Sequence, residues 1–252
     1  MKYFGSKESI ADYIVPFINS YIMVNDIETY IEPFVGGANI IDKVQCKNRI
    51  AYDNNKYLIA LFNHLKNDGE LPDEITVEQY ADCRAHYRSG DTYYPDWYIG
   101  AVGFLAGYKG RFYEGGYATT PSIDEDNPKS HYEEAKEELL FQMKSLIDVE
   151  FIVSDFSKLN PTHSMIYCDP PYAGVKGCNA VTKQFNHKLF WDKATEWSKN
   201  GDNIVLISEK EAPEYFDTLW EQDITQAKSK KYTPEKLFIH SSLNIDDGSN
   251  DF

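Results

Sequence analysis

The stretch TYIEPFVGGAN, residues 29–39, decides the fold. Thr29 to Phe34 is a short run of strand formers that breaks into Val35-Gly36-Gly37-Ala38-Asn39. Ile40, Ile41 and Val44 follow at a spacing that predicts a helix, and Arg49-Ile-Ala-Tyr-Asp53 predicts a second strand ending on an acid. Strand, glycine turn, helix, strand, acid is the opening of an α/β fold with a parallel sheet. Glycines let the turn approach a ligand, and a helix behind them would offer unpaired N–H groups. The full G-x-G-x-x-G is absent, so a dinucleotide fingerprint is not met. Asp53 is placed either to take the hydroxyls of a ribose or simply to cap its strand.

Working outward, Lys7 to Ile18 carries Ile10, Ile14 and Ile18 at helical spacing. Further strands are expected at Val149–Val153, Ser164–Cys168, Asn203–Ser208 and Lys236–His240, with a helix from Lys188 to Lys199. A polar, basic stretch runs from Lys228 to Lys236, and Asp246–Asp251 reads as a frayed tail. Residues 61–150 break the alternation. They hold a Tyr/Gly-rich middle and an amphipathic helix with Tyr132, Ala135, Leu139, Met143 and Leu146 on one stripe. The reading is a core of residues 1–60 and 151–252 with an inserted, mostly helical subdomain at 61–150.

Nineteen Tyr and fourteen Phe in 252 residues exclude a disordered chain, because burying them offsets the ordering entropy. No apolar run is long enough to cross a membrane, and the N-terminus lacks the layout of a signal peptide. The four cysteines form no C-x-x-C pair and the six histidines show no metal-ligand spacing, so no metal site is expected. These features point to a soluble protein of a reducing compartment.

The strongest chemical signal is Asp169-Pro170-Pro171-Tyr172, directly after the strand that ends at Cys168. Prolines often close strands, so a structural turn is one reading. The other is catalytic, since open α/β sheets place ligands at the carboxyl ends of their strands. A carboxylate and a freed carbonyl can both accept hydrogen bonds from one exocyclic amine while a ring stacks on the heterocycle that bears it. Pulling on both N–H bonds activates the nitrogen electrostatically, and enzymes hold a flipped base by the same means.

With these residues in hand, the chain resembles the Dam-like, D12-class DNA adenine-N6 methyltransferases, including phage-encoded members. Lys2 to Lys7 resembles the family's N-terminal motif, and Glu32 to Gly37 its phenylalanine-glycine motif, with Ala38 where a second glycine of the stricter form would fall. The resemblance implies a Rossmann-like methyltransferase sheet with helices on both faces, and a target-recognition role for the insertion. It implies S-adenosylmethionine as cofactor, held by Tyr3, Lys7, Phe34, Gly36, Gly37, Asp53, Asp155, Phe156 and Asp169. It implies catalysis by Asp169, Pro170, Pro171 and Tyr172, with Phe185 to Phe190 helping to wall the target-base pocket. The expected partner is double-stranded DNA, in a bacterial or phage-infected cytoplasm, with the enzyme a monomer or weak dimer. A restriction–modification setting fits the family. Rival readings are methylation of RNA adenine, cytosine N4 or a protein glutamine, an inactive DNA-binding relative, and a nicotinamide-dependent oxidoreductase.

Within the insertion, Tyr108-Lys109-Gly110-Arg111-Phe112 joins two cations to two rings and could read a groove or contact phosphates, or be a surface turn. Arg84 and Arg88 could face DNA or solvent. The formal charge of −15 is concentrated in residues 61–150, which hold 18 acids and 8 bases. Lys176, Lys183 and Lys188 follow the catalytic corner, with Lys228, Lys230, Lys231 and Lys236 further on. Phosphate binding depends on the local patch rather than on net charge, so a polarised surface with a basic groove beside Tyr172 is expected.

Overall fold

The computed structural model describes residues 1–119, 130–172, 185–225 and 232–243. The strands are β1 (Thr29–Glu32), β2 (Asn48–Asp53), β3 (Val149–Val153), β4 (Ser164–Cys168), β5 (Ile204–Glu209), β6 (Phe216–Thr225) and β7 (Tyr232–His240). They form one seven-stranded sheet in the order β3-β2-β1-β4-β5-β7-β6, and helices flank it. The helices are α1 (Ala11–Val24), α2 (Lys56–Lys66), α3 (Val77–Ser89), α4 (Asp96–Leu105), α5 (His131–Met143) and α6 (His187–Lys199). This is a mixed α/β architecture consistent with the expected Rossmann-like sheet. Among the described residues, no helix is long and apolar enough to cross a membrane.

The chain divides into two compact units. One comprises residues 1–12, 35–44 and 51–153, the other residues 13–34, 45–50 and 154–252. The first contains the segment expected as an insertion together with the glycine turn and Asp53.

In this unit α2 packs on β3 and α4 packs on α2 and α3. Each of these helices starts for a visible reason. Asn55 accepts N–H bonds at the head of α2, and Thr76 and Ser130 form reciprocal capping boxes with Gln79 and Glu133 for α3 and α5. The stripe on α5 is buried as its spacing predicts: Tyr132, Ala135, Leu139 and Met143 all lie in the core.

The second unit holds β4, the strand that leads into Asp169. β1 pairs parallel with β4, and β4 with β5, so the chain runs outward from β1 on one side and from β4 on the other. β4 is buried at every position, as a central parallel strand should be. β7 then runs antiparallel to β5 and forms a long ladder with β6.

Four sequence expectations need correction. No helix follows the glycine turn: residues 38–44 are a series of turns with Ile40, Ile41 and Val44 all buried. The segment is short and mostly buried, and the Gln142 side chain bonds its first carbonyls where a longer helix would have continued. Strand β6 was not expected, because a bulge between Thr218 and Trp220 breaks its alternation. β7 begins at Tyr232, inside the stretch read as polar and basic. The first helix also starts later, at Ala11, after a single 3-10 turn at Glu8–Ile10. Residues 246–251 lie outside the described residues.

Candidate functional site

In the first unit the glycine turn is fixed by three neighbours. Gly36 has φ +47°, and a Cβ there would lie 2.9 Å from Tyr3 Cε1. A Cβ on Gly37 would lie 2.7 Å from Tyr3 Cβ and 2.7 Å from Asn39 Nδ2. Only glycine lets the backbone pass under the Tyr3 side chain. The Gly36 N–H donates to Asp53 Oδ2 at 3.2 Å, and the Asn55 N–H to Asp53 Oδ1 at 2.9 Å. Burial raises the Asp53 carboxyl above its ordinary value, against the lowering effect of these backbone donors. Lys7 is buried, with Nζ 3.4 Å from the Gly5 carbonyl.

The helix expected to offer N–H groups to a ligand is absent, and a distant side chain holds the turn's own acceptors. Gln142, on α5, sets its Nε2 3.1 Å from Gly37 O, 3.0 Å from Ala38 O and 3.0 Å from both Asn39 Oδ1 and Asp42 Oδ2. Asn39 in turn donates to Ser6 Oγ at 2.7 Å, tying the turn to the N-terminal motif. Sequence reading missed Gln142, because nothing local marks a buried glutamine as a ligand for a turn a hundred residues away.

The same unit brings Lys109 and Arg111 beside the N-terminal motif. A Cβ on Gly110, at φ +63°, would meet the Lys2 carbonyl, and the Arg111 guanidinium lies 4.3 Å over the Phe4 ring. Lys109 is exposed with φ 55°, and its Nζ lies 5.4 Å from the centre of the Tyr108 ring. Lys109, Phe112 and Tyr113 all have positive φ, a strained run held by burial of Phe112 and Tyr113. On α3, Arg84 is half-buried and Arg88 exposed.

In the second unit, the neighbours β1 and β4 mark the switch point where open α/β sheets bind ligands. β1 runs through buried Glu32, which accepts the Tyr30 hydroxyl at 2.7 Å, to Phe34. β4 runs into Asp169-Pro170-Pro171-Tyr172. The Phe34 ring lies 5.4 Å from Phe156, 5.8 Å from Phe185 and 5.7 Å from Phe190, centre to centre. Phe185 and Phe190 thus stand with the two phenylalanines expected at the cofactor, a grouping their spacing did not suggest. Asp155 caps the turn that carries Phe156, accepting from the Ser157 N–H at 2.9 Å.

At the corner itself, Asp169 and Tyr172 are half-buried and Pro170 is buried. The Tyr172 hydroxyl donates to Glu235 Oε2 at 2.6 Å, and Lys210 Nζ lies 6.0 Å from the centre of its ring. Burial, with the Asp169 and Glu235 charges, pushes the Tyr172 phenol far above its ordinary value. The same burial and the Asp169 and Glu32 charges hold Cys168 as a thiol. Tyr172 therefore acts as a neutral ring and donor, not as a base. The corner offers what amine activation requires: an acid, a carbonyl freed by proline, and a flat ring.

Of the other expected cations, Lys188 lies on the first turn of α6 with Nζ 2.6 Å from Asp192, and Lys236 pairs with Glu221 at 3.3 Å. These pairings weaken the field either lysine projects. Lys176, Lys183, Lys228, Lys230 and Lys231 lie outside the described residues. Among the described residues, no cluster of His, Cys, Asp or Glu could hold a metal ion.

Residues 3–95 match the family model of the D12 class N6 adenine-specific DNA methyltransferases. A DNA adenine methylase of Haemophilus influenzae is 30% identical over 199 residues, which cover 70% of this chain and 64% of that protein. The Type II methyltransferase M.FokI of Planomicrobium okeanokoites is 24% identical over 194 residues, 70% of this chain and 29% of that protein. The chain thus spans less than two thirds of the length of either relative.

Proposed function

For a chain related to the D12-class N6 adenine-specific DNA methyltransferases, we propose methyl transfer from S-adenosylmethionine to N6 of an adenine flipped out of double-stranded DNA. The observation that carries this reading is the Asp169–Tyr172 corner at the carboxyl end of β4, beside β1, at the switch point of the sheet. The residues present suit the cofactor. Gly36 and Gly37 let a backbone cradle pack against Tyr3, where any Cβ would clash, and the Asp53 carboxylate keeps a lone pair for a ribose hydroxyl beyond the N–H groups of Gly36, Asn54 and Asn55. Tyr3 and Lys7 belong with this cradle, while Phe34, Asp155 and Phe156 offer an apolar slot and an acid to an adenine ring. When bound, S-adenosylmethionine supplies an electrophilic methyl group.

The protein's part is positioning and electrostatics. Asp169 accepts one N6 hydrogen bond and the Pro170 carbonyl a second, while Pro171 stiffens the turn and Tyr172 stacks on the base. Holding the nitrogen in line with the methyl group removes much of the entropic barrier. No strong base is needed before attack, because the amine becomes acidic only as the methyl group arrives. Lys109 and Arg111, with Lys176, Lys183 and Lys188, are the proposed DNA contacts. The setting is a bacterial cytoplasm and the working form a monomer or weak dimer, which sedimentation of the free protein would check.

The test is labelled methyl transfer to duplex DNA, single-stranded DNA and RNA, with Asp169→Ala beside the wild type. Transfer to adenine N6 of the duplex, abolished by Asp169→Ala while cofactor binding persists, is expected. An Asp169→Ala variant with wild-type activity, or transfer confined to RNA, overturns the assignment.

A further inference from the structure

The prolines of the corner fix its backbone, but the orientation of the Tyr172 ring is set by two side-chain torsions. A ring that must lie flat against a base needs something to hold it. The 2.6 Å bond from the Tyr172 hydroxyl to Glu235 Oε2 is such a contact. A phenol bonded to a carboxylate is a charge-assisted pair, short and directional.

Sheet topology explains why a residue more than sixty positions downstream arrives there. β7 runs antiparallel to β5, with Glu209 opposite Lys236 and Leu206 opposite Ile239. Its early residues are therefore delivered to the carboxyl end of β5, and β5 lies beside β4, whose carboxyl end carries the corner. Alternation then selects the side chain. Glu235 shares a face with Leu237 and Ile239, which oppose Ser208 and Leu206; Leu206 in turn opposes Tyr167. On that face the Tyr167 hydroxyl and Ser208 Oγ are bonded at 2.7 Å. Lys236 points to the other face and meets Glu221 at 3.3 Å. Glu235 is thus presented to the corner by a strand anchored on both sides, through β5 and β6.

We infer that Glu235 is a positioning residue, which holds the Tyr172 ring in the plane that stacks on the target base. It does not touch the reacting atoms, and the inference rests on the methyltransferase reading above. Lys210 Nζ lies 6.0 Å from the centre of the same ring.

The experiment compares wild type, Glu235→Gln, Glu235→Leu, Tyr172→Phe and the Tyr172→Phe/Glu235→Leu double variant. It measures single-turnover methyl transfer to unmethylated plasmid DNA at saturating S-adenosylmethionine, cofactor Kd by calorimetry, and thermal unfolding. Glu235→Leu and Tyr172→Phe should each slow transfer by about tenfold, the size expected for loss of one charge-assisted bond. Cofactor Kd should be unchanged, and the double variant should be no slower than either single one. Glu235→Gln keeps an acceptor for the hydroxyl and should recover most of the rate. Tyr172→Phe deletes the same bond from the other partner, so a poorly folding Glu235→Leu leaves the test intact.

An active wild type whose rate survives Tyr172→Phe or Glu235→Leu overturns the inference alone. Losses that multiply in the double variant, or a rate loss matched by weaker cofactor binding, also overturn it. A wild type that transfers no methyl group to DNA overturns the methyltransferase reading and this inference with it.

Discussion

Gln142→Met is the most informative perturbation of the glycine turn. Methionine keeps the length and flexibility of the side chain and removes only the amide. Gln142 is buried, and its Nε2 lies within 3.0–3.1 Å of four acceptors: the carbonyls of Gly37 and Ala38, Asn39 Oδ1 and Asp42 Oδ2. An amide nitrogen has two hydrogens, so two of these are served at a time. Asn39 Oδ1 keeps the Met1 ammonium at 3.0 Å and Ala38 O the Asp42 N–H at 3.4 Å, so the loss falls on Gly37 O and Asp42 Oδ2, at about 1–3 kcal/mol each and about 2–6 kcal/mol for the pair. That cost can appear in two places. If the turn keeps its shape, the fold loses the full amount. If the turn shifts to find water, the cradle beside Tyr3 is lost, and about 2 kcal/mol expressed in binding raises Kd about 30-fold. Calorimetric titration with S-adenosylmethionine and thermal unfolding together capture both, and their sum is the quantity of interest. A variant with wild-type Kd and wild-type Tm would refute the idea that Gln142 substitutes for a helix behind the turn.

Three further outcomes are expected. Gly37→Ala should weaken cofactor binding at least tenfold in the same titration, because its Cβ would meet Tyr3 and Asn39 at 2.7 Å; Gly90→Ala, at φ +73° with nothing within 4 Å, should cost stability but leave Kd unchanged. Asp53 has a raised pKa, so protonation should abolish cofactor affinity at a pH above the ordinary carboxylate midpoint of 3.8, and affinity should rise as pH rises through the raised value. Its share of folding stability has the opposite sign, falling as pH rises from 3.8 through the raised value, and Asp53→Asn titrated in parallel should lose both dependences. Arg111→Ala should lower DNA affinity and reduce the slope of log affinity on log salt by about one unit, whereas Lys188→Ala, whose charge is already paired with Asp192, should do less.

The parallel part of the sheet was legible because its strands are buried, continuous apolar runs such as Met165 to Cys168 bounded by polar or proline-containing loops. The α5 stripe was legible for a related reason, since a one-sided helix announces its buried face. What failed was local inference about segments whose bonds are made far away. Ile40, Ile41 and Val44 have helical spacing, yet local N–H bonds reach only as far as single turns at Ala38 and Ile40, and Gln142 meets the carbonyls of Gly37 and Ala38. The bulge in β6 hid a strand of ten residues. At the site, the tetrapeptide was visible as a word, but Glu235 was not: it sits among charged residues whose function depends on strand parity and on the antiparallel entry of β7.

That parity carries a further consequence for how the chain tolerates change in length. Pairing of Leu237 and Ile239 with β5 fixes which residues of β7 face Tyr172. Removing Lys236 alone would turn Glu235 to the opposite face and bring Pro234, which has no side-chain acceptor, opposite the phenol. Removing two residues would restore the facing parity. Insertions between β6 and β7 leave that facing parity alone, because they fall before the pairing that sets it. The hairpin should therefore accept drift in the length between its strands while length changes within β7 survive only in even steps, so the phase of this strand, as much as the identity of Glu235, belongs to the proposed site at Tyr172.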